Sequence, residues 1–299
     1  MNILVTGANG QLGISLRNAA DTVKDRFIFT DVTRLPGMDT VYLDITDIDA
    51  IRLICRSERI GLIINCAAYT AVDKAEEDVA MADLLNHRAV GYLAAVAAET
   101  GAEMIHISTD YVFQGDRPLP CREDWPVNPI GVYGATKLKG EQALREAGCP
   151  YILIRTAWLY SPYGKNFVKT MCRLTAERPS LNVVFDQVGT PTYAGDLSAL
   201  ILHIIATGQL GKTGVYHYSD EGVCSWYDFA CAIRDLAGNT CDIRPCHSDE
   251  YPTKARRPAF SVLDKSLVKK TFGVEVPHWY ESLRNCMAEM DLQKEKNSI

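Results

Sequence analysis

A tyrosine and a lysine four residues apart, Tyr133 and Lys137, could share a proton-transfer task. On a helix this spacing places both side chains on one face, within reach of a common ligand. A phenol has an ordinary pKa of about 10, and a nearby ammonium stabilises the phenolate and lowers that pKa. Such a phenol can give a proton to a carbonyl oxygen while hydride reaches the carbon. The same spacing also occurs on ordinary half-exposed helices, so its meaning depends on the rest of the chain.

The N-terminal residues contain the signature of a dinucleotide site. The β-branched run Asn2–Thr6 is followed at once by a turn with Gly7, Gly10 and Gly13, then by a helix-like stretch and a second strand that ends in Asp31. The first glycine permits the tight turn, the second lets the backbone approach a pyrophosphate, and the third lets the helix pack closely on the sheet. Free N–H groups at the helix N-terminus favour phosphate. The order of elements predicts dinucleotide binding, although the spacing is G-x-x-G-x-x-G.

The acid at the end of the second strand bears on the choice of cofactor. A carboxylate there accepts a hydrogen bond from the ribose 2′-OH and repels a 2′-phosphate, which favours NADH. Arg34 follows closely and could offset that repulsion. The sequence therefore predicts NADH or NADPH without deciding between them.

Strand-like and helix-like segments alternate along most of the chain. The predicted strands are Asn2–Thr6, Arg26–Thr30, Gly61–Asn65, Met104–Ser108 and Tyr151–Arg155. The predicted helices are Gln11–Ala20, Asp73–Thr100, a helix beginning near Tyr133, Asn166–Glu177, Gly195–Thr207, Ser225–Gly238 and Trp279–Met290. This alternation indicates an α/β fold with a doubly wound, Rossmann-like parallel sheet. We expect the polar segment Asp291–Ile299 to be frayed.

The alternation loosens after about residue 160. We therefore expect residues 1–160, together with about 186–207, to form the dinucleotide-binding domain. About 161–185 and 208–299 are expected to form a smaller C-terminal α/β lobe that binds the substrate.

Ligands of such sheets bind beyond the carboxyl ends of the strands. Five residues lie at or just past predicted strand ends, and we expect them to meet in one crevice: Gly7, Asp31, Ala67, Thr109 and Trp158.

Composition excludes several classes of function. The chain has 299 residues, 47% of them hydrophobic, and a net charge of −6. It lacks the basic stripe that nucleic-acid binding needs, and no apolar run approaches the roughly 18 residues of a membrane span. It begins directly with a strand, so we expect no signal peptide. Ten scattered cysteines without a C-x-x-C pair indicate free thiols in a reducing cytoplasm. The six histidines form no metal-like cluster, and His106 is expected in the core.

Together the motifs resemble those of the extended short-chain dehydrogenase/reductases and, within them, the dTDP-4-dehydrorhamnose reductase family. The resemblance covers the chain to about residue 285. The segments that carry it are Val5–Gly13, Asn65–Asp73, Ser108–Phe113, Tyr133–Glu141, Arg155–Tyr160 and Asp186–Thr192. Gln114 departs from the acid that the family more often has after Tyr-Val-Phe, and we expect only a local effect.

The resemblance implies a substrate and a role for each catalytic residue. Tyr133 would donate a proton to the C4 keto oxygen of dTDP-6-deoxy-L-lyxo-4-hexulose, and hydride would come from the reduced nicotinamide. Lys137 would lower the pKa of Tyr133 and bind the nicotinamide ribose. Thr109 would hydrogen-bond the keto oxygen, although its hydroxyl could simply cap the strand end.

The remaining site residues are assigned in the same way. The cofactor would be bound by Gly7, Gly10, Gln11, Leu12, Gly13, Asp31, Asp44, Ile45, Ala67, Ala68, Tyr69, Tyr133 and Lys137. The substrate would be bound by Thr109, Asp110, Tyr133, Trp158, Asn166 and Arg256. Trp158 would pack against the sugar, with burial in the core as the alternative. Arg257 is, like Asn166 and Arg256, a weaker candidate for the nucleotide phosphates.

Two other functions remain open at this point. An epimerase or 4,6-dehydratase would share the fold, but dehydratases typically follow the catalytic threonine with Asp-Glu, whereas Thr109 is followed by Asp110 and Tyr111. A binding module, like the regulatory subunit of methionine adenosyltransferase, would not need Tyr133 and Lys137.

The resemblance also raises the question of assembly. Some members of the family form a homodimer around Mg²⁺ held by C-terminal carboxylates. Glu281, Glu289 and Asp291 are available for this, with ordinary surface carboxylates as the alternative.

Overall fold

The computed structural model describes residues 1–297 and is built around a seven-stranded parallel sheet. The strands are, in chain order, β1 (Asn2–Thr6), β2 (Arg26–Asp31), β3 (Val41–Tyr42), β4 (Ile60–Asn65), β5 (Glu103–Thr109), β6 (Tyr151–Thr156), β7 (Leu159–Tyr160), β8 (Ser180–Val184), β9 (Val188–Gly189), β10 (Thr192–Tyr193), β11 (Gly214–His217), β12 (Cys224–Ser225) and β13 (Asp242–Cys246). The order across the large sheet is β11-β6-β5-β4-β1-β2-β3. Each neighbouring pair in it is parallel.

Helices cover both faces of this sheet. In chain order, the α-helices of residues 1–297 are α1 (Gln11–Ala19), α2 (Ile48–Ser57), α3 (Val72–Ala75), α4 (Val79–Asp83), α5 (Ala89–Thr100), α6 (Val132–Glu146), α7 (Phe167–Glu177), α8 (Ala194–Ala206), α9 (Trp226–Leu236), α10 (Ser266–Phe272) and α11 (Trp279–Asn297). Successive strand residues point to opposite faces, so Ile3 and Val5 pack with α1, α8 and α10, while Leu4 packs with α2 and α5. The predicted doubly wound fold is confirmed.

A smaller group of elements lies on the C-terminal part of the chain. β8 pairs in parallel with β13, and α7, α9 and α11 share a core that includes Phe229, Ile233 and Leu283. Two elements within the segment 208–299 belong elsewhere, because β11 joins the large sheet and α10 packs on its face through Val268 and Phe272. The boundary by packing therefore differs from the boundary that the sequence suggested at residue 208.

The predicted long helix Asp73–Thr100 is interrupted. α3 and α4 are separated by a turn, and a π-helical segment, Leu84–Arg88, precedes α5. Within that segment the buried Asn86 accepts a hydrogen bond from the Tyr69 amide at 2.8 Å and donates one to the Tyr69 carbonyl at 3.1 Å. Its backbone carbonyl lies against Gly140 on α6, where an added Cβ would come within 2.1 Å. The interruption thus connects a loop after β4 to the helix that carries Tyr133.

The C-terminal helix is longer than the sequence indicated. α11 continues through Asn297, whereas helix was predicted only to Met290 and fraying from Asp291 onward. Ser298 and Ile299, the last part of that prediction, lie outside the described residues. Within residues 1–297, no helix is both long and apolar enough to cross a membrane.

Candidate active site

A crevice of about 720 Å³ opens at the carboxyl ends of the strands. It is lined by the following predicted site residues: Gly7, Gly10, Gln11, Leu12, Asp31, Asp44, Ile45, Ala67, Ala68, Thr109, Asp110, Tyr133, Lys137, Trp158 and Asn166. Gly13, Tyr69 and Arg256 are not among its lining residues. Residues from the first half of the chain therefore meet residues from β6, the loop after β7 and α9 in one place.

The glycine turn has the shape of a phosphate cradle. Gly7 has a φ of +63°, and a Cβ there would come within 2.6 Å of the Ala67 nitrogen. A Cβ on Gly13 would come within 2.5 Å of Ala8 Cα, so this glycine lets α1 pack on the turn rather than lining the crevice. The side-chain-free backbone at the start of α1 leaves room for a dinucleotide pyrophosphate. These residues fit a nicotinamide dinucleotide.

Two carboxylates stand at the edge of the cradle. Asp31 accepts hydrogen bonds from the Asn9 amide at 3.1 Å and from the Thr33 amide and hydroxyl at 2.9 and 2.8 Å. Asp44 accepts from the amide and hydroxyl of Thr46 at 2.9 and 2.8 Å. These hydrogen bonds hold both side chains in place, and Arg34, three residues after Asp31, is exposed.

Tyr133 and Lys137 lie one turn apart on α6 and both face the crevice. Burial raises the pKa of Tyr133 to about 12, the Thr109 hydroxyl lowers it in part, and the Asp110 carboxylate adds to the rise. The Tyr111 ring meets the Tyr133 ring edge-on, with centroids 5.6 Å apart. The raised pKa is opposite to the lowering that the sequence suggested, because burial and the Asp110 carboxylate together outweigh the hydrogen bond with Thr109.

Lys137 is almost fully buried and its ammonium donates a hydrogen bond to the Ile107 carbonyl at 2.6 Å. Burial lowers the pKa of this ammonium to about 8, and the Glu141 carboxylate opposes that change. The charge of Lys137 is therefore conditional on pH within the working range of an enzyme.

Thr109 ends β5 and also begins a short 3-10 turn. Its hydroxyl accepts a hydrogen bond from the Tyr111 amide at 3.2 Å and donates one to Asp110 at 3.0 Å. It is thus both a cap and a crevice residue. Burial raises the pKa of Asp110 to about 6, and one of its carboxylate oxygens has no hydrogen-bond partner within residues 1–297.

Trp158 lines the crevice in a strained backbone conformation. Its φ is +48°, in the left-handed region that a bulky residue rarely adopts. The indole stacks on Trp226 at the start of α9, with centroids 3.6 Å apart and rings 10° from parallel. Gly189 makes room for it, since a Cβ there would approach the ring to 2.8 Å. Trp158 is therefore a wall of the crevice.

Sequence reasoning missed the other aromatic members of this wall. Trp226 and Phe167 both line the crevice, with ring centroids 4.6 Å apart. Ser225 and Asp228 form a capping box at the start of α9, and that signal predicts where the helix begins. No local pattern reveals that the first residue of this helix reaches Trp158.

The candidates for phosphate binding lie in different environments. Asn166 caps α7 by accepting from the Lys169 amide at 3.0 Å, and it donates to Gln11 at 2.9 Å. Arg256 is exposed, whereas Arg257 lines the crevice and binds Asp73 through two nitrogens at 3.2 and 2.7 Å. Burial would raise the pKa of Asp73, but Arg257 holds it below its ordinary value.

One of the C-terminal carboxylates that the family resemblance offered for magnesium, Glu289, has hydrogen-bond partners within the chain. Glu289 accepts hydrogen bonds from the phenols of Tyr163, at 2.6 Å, and Tyr193. Among the side chains of residues 1–293 in a single chain, no three or more His, Cys, Asp or Glu are grouped as a metal site would require. The Glu289 carboxylate joins α11 to β10 and to the loop after β7.

The cysteines and His106 follow the sequence predictions. All ten cysteines are free thiols. His106 is fully buried on β5, where Asn65 is its hydrogen-bond partner at 3.1 Å.

Comparison with known proteins identifies relatives over almost the whole chain. The model of a protein family described as the RmlD substrate binding domain matches residues 1–292. A curated dTDP-4-dehydrorhamnose reductase of Aggregatibacter actinomycetemcomitans is 40% identical, over 96% of this chain and 98% of the relative.

Solved structures of the same kind of enzyme are also similar to this chain over almost its whole length. A dTDP-4-dehydrorhamnose reductase of Clostridium acetobutylicum superposes with a TM-score of 0.91 at 41% identity, covering 97% of this chain and 100% of that one. The enzyme of Bacillus anthracis in complex with NADP gives a TM-score of 0.86 at 37% identity, covering 96% and 99%.

Proposed function

The chain belongs to the RmlD family together with curated dTDP-4-dehydrorhamnose reductases, and from that premise we propose that it reduces a keto sugar nucleotide. The substrate is dTDP-6-deoxy-L-lyxo-4-hexulose, and reduction of its C4 keto group yields dTDP-L-rhamnose, a precursor of cell-surface polysaccharides. One observation supports this most strongly. The glycine cradle and the Tyr133, Lys137 and Thr109 side chains line the same crevice.

Gly10 would hold the pyrophosphate of a nicotinamide dinucleotide, Asp31 its adenosine ribose and Lys137 its nicotinamide ribose. When bound, the reduced nicotinamide supplies the hydride. Asp31 accepts from a ribose 2′-OH and repels a 2′-phosphate, so NADH serves at least as well as NADPH.

Tyr133 is the general acid. A phenol with a pKa of about 12 is protonated throughout the working range, so the proton is always available. Proton transfer to the C4 oxygen leaves a phenolate, which the Lys137 ammonium stabilises once the reaction creates that charge. Thr109 turns its hydroxyl hydrogen from Asp110 to the keto oxygen and holds it against Tyr133.

The remaining crevice residues bind the sugar and the diphosphate. Trp158 packs against the sugar ring, and its stack with Trp226 keeps the indole in place. Arg257, fixed by Asp73, supplies the guanidinium fork that suits a diphosphate. We give Arg257 this role in preference to Arg256, because only Arg257 is among the residues that line the crevice.

We also propose that the enzyme works in the cytoplasm. Ten free thiols suit a reducing compartment.

The deciding experiment supplies the 4-keto sugar nucleotide with NADH or NADPH and follows absorbance of the reduced nicotinamide. We expect stoichiometric oxidation of the cofactor and formation of dTDP-L-rhamnose, with no oxidation when the sugar nucleotide is omitted. An epimerase would isomerise the sugar without net oxidation, and a binding module would do neither. Either result would contradict the proposal.

A further inference from the structure

We propose that Glu141 is a positioning residue for this reaction, because its buried carboxylate joins the helix that carries Tyr133 and Lys137 to the strand end that carries Thr109. The inference rests on the proposed function and adds a residue outside the crevice to it. Glu141 lies one turn beyond Lys137 on α6 and is completely buried.

The first connection runs from α6 to β5. One carboxylate oxygen of Glu141 accepts a hydrogen bond from the Ser108 hydroxyl at 2.6 Å. Ser108 directly precedes Thr109, so this bond fixes the strand end relative to the helix. The distances from Tyr133 and Thr109 to the keto oxygen of the substrate can vary only slightly in a productive complex. A displacement of about 1 Å can lower the rate on the order of a hundredfold.

The second connection runs from α6 to β6. Arg155 donates to the same oxygen through Nε at 2.9 Å and to the other oxygen through a terminal nitrogen at 2.7 Å. Its guanidinium also lies over the Phe113 ring, 5.1 Å from the centroid. Arg155 is buried and stands three positions before Trp158. A single carboxylate therefore holds the elements that carry all the proposed catalytic residues.

A buried ion pair is weak evidence for a role in stability, because desolvation offsets most of the attraction. A bidentate, fully hydrogen-bonded pair does fix geometry. The third partner, Arg145, is partly exposed and donates to Glu141 at 3.3 Å. It contacts neither β5 nor β6 through this bond, so it offers a matched control on the same carboxylate.

Glu141 also acts on the charge of Lys137. The titratable groups that face Lys137 from the elements packed on it are Cys66 after β4 and His106 on β5. Burial raises the pKa of the Cys66 thiol to about 12 and lowers that of His106 well below its ordinary value, so both are neutral near pH 7. The charged neighbour of Lys137 is therefore Glu141, and its carboxylate opposes the loss of the Lys137 proton. Neutralising it removes the charge that opposes this loss.

Two variants separate the two effects. Ser108→Ala keeps the carboxylate but removes the connection to the Thr109 strand, and it should lower kcat by about tenfold, a loss that a misplacement well below 1 Å can cause. Its affinity for the dinucleotide should stay unchanged. Dinucleotide binding can be measured by the quenching of tryptophan fluorescence. In Glu141→Gln this binding should begin to weaken at a lower pH than in the wild type. Arg145→Ala should resemble the wild type in both measurements.

Wild-type kcat in Ser108→Ala would overturn the proposal, and so would an unchanged pH midpoint of dinucleotide binding in Glu141→Gln. If Glu141→Gln does not fold, Ser108→Ala decides alone. The binding titration needs no sugar nucleotide. A wild type that binds dinucleotide but never oxidises it with the 4-keto sugar would refute the proposed function while leaving the effect of Glu141 on Lys137 measurable.

Discussion

Tyr133 and Lys137 have shifted pKa values because both are buried, and both shifts favour the neutral form of the side chain. The pKa of Tyr133 rises to about 12 and that of Lys137 falls to about 8. The Tyr133 hydroxyl therefore keeps its proton across the working range, whereas Lys137 loses its positive charge in mildly alkaline solution. The pH dependence of the reaction should then report the lysine rather than the tyrosine.

Tyr133→Phe tests the acid directly, because it removes only the hydroxyl. We expect kcat to fall by at least about a hundredfold, the low end for a general acid. Dinucleotide affinity, measured by fluorescence, should be nearly unchanged. Near-wild-type turnover of the 4-keto sugar by this variant would exclude Tyr133 from the mechanism.

The pH prediction concerns Lys137. Its ammonium is present below a pKa of about 8 and is lost as the pH rises through that value. We expect kcat/KM to fall on the alkaline side with a midpoint near 8, and the limb to be absent from the residual activity of Lys137→Met. A limb that persists unchanged in Lys137→Met belongs to another group.

Asp31→Asn tests the choice of cofactor with little change in shape. The single amide oxygen can keep the bonds from the amide and hydroxyl of Thr33, the bond from the Asn9 amide to the other carboxylate oxygen is lost, and the negative charge is gone. Efficiency with NADPH relative to NADH should increase, because a 2′-phosphate is no longer repelled. An unchanged ratio would place the adenosine ribose away from Asp31.

At the scale of elements, the position of α6 depends on Gly140. A Cβ there would come within 2.1 Å of the Asn86 carbonyl in the π-helical segment. Gly140→Ala must push α6 away or distort that segment. We expect it to lower the free energy of unfolding by about 1–3 kcal/mol, as overpacking does, and to lower kcat as well.

The matched control is Gly91→Ala, at another contact with α6. A Cβ on Gly91 would meet the Ala143 Cβ at 3.5 Å, an ordinary contact. The free energy of unfolding, from urea denaturation, should be unchanged or slightly higher, since alanine favours helix. Equal losses in both variants would mean that close approach to Asn86 does not decide the position of α6.

Prediction from sequence succeeded where the signal was local. The run Asn2–Thr6 and the glycine turn predicted strand, turn and helix correctly, and the Tyr133 helix lies where expected. It failed where distant residues decide the outcome. Asn86 interrupts a helix to bind Tyr69, and Trp226 meets Trp158 from a helix far along the chain. The pKa of Tyr133 was also misjudged, because its burial is set by the whole crevice.

At the scale of the molecule, Glu289 connects parts that are distant in sequence. It accepts from Tyr163 and Tyr193, and Tyr163 in turn accepts from Asn18 on α1 at 2.6 Å. Glu289→Ala leaves two phenols without a charged acceptor, so we expect the free energy of unfolding to fall by about 1–3 kcal/mol.

Glu281→Ala, on an exposed position of the same helix, is the control for that loss and should have little effect. Equal losses in Glu289→Ala and Glu281→Ala would contradict this explanation.

The position of β11 has a consequence for synthesis on the ribosome. This strand pairs with β6 at the edge of the sheet, yet it follows β6 only after β7 to β10, α7 and α8 have been made. Until Gly214–His217 leave the ribosomal exit tunnel, the outer edge of β6 has no partner strand. An unpaired edge is a template for strands of other chains. The nascent protein is therefore exposed to aggregation during translation of this interval, and a messenger RNA truncated within it encodes a sheet whose β6 edge stays unpaired.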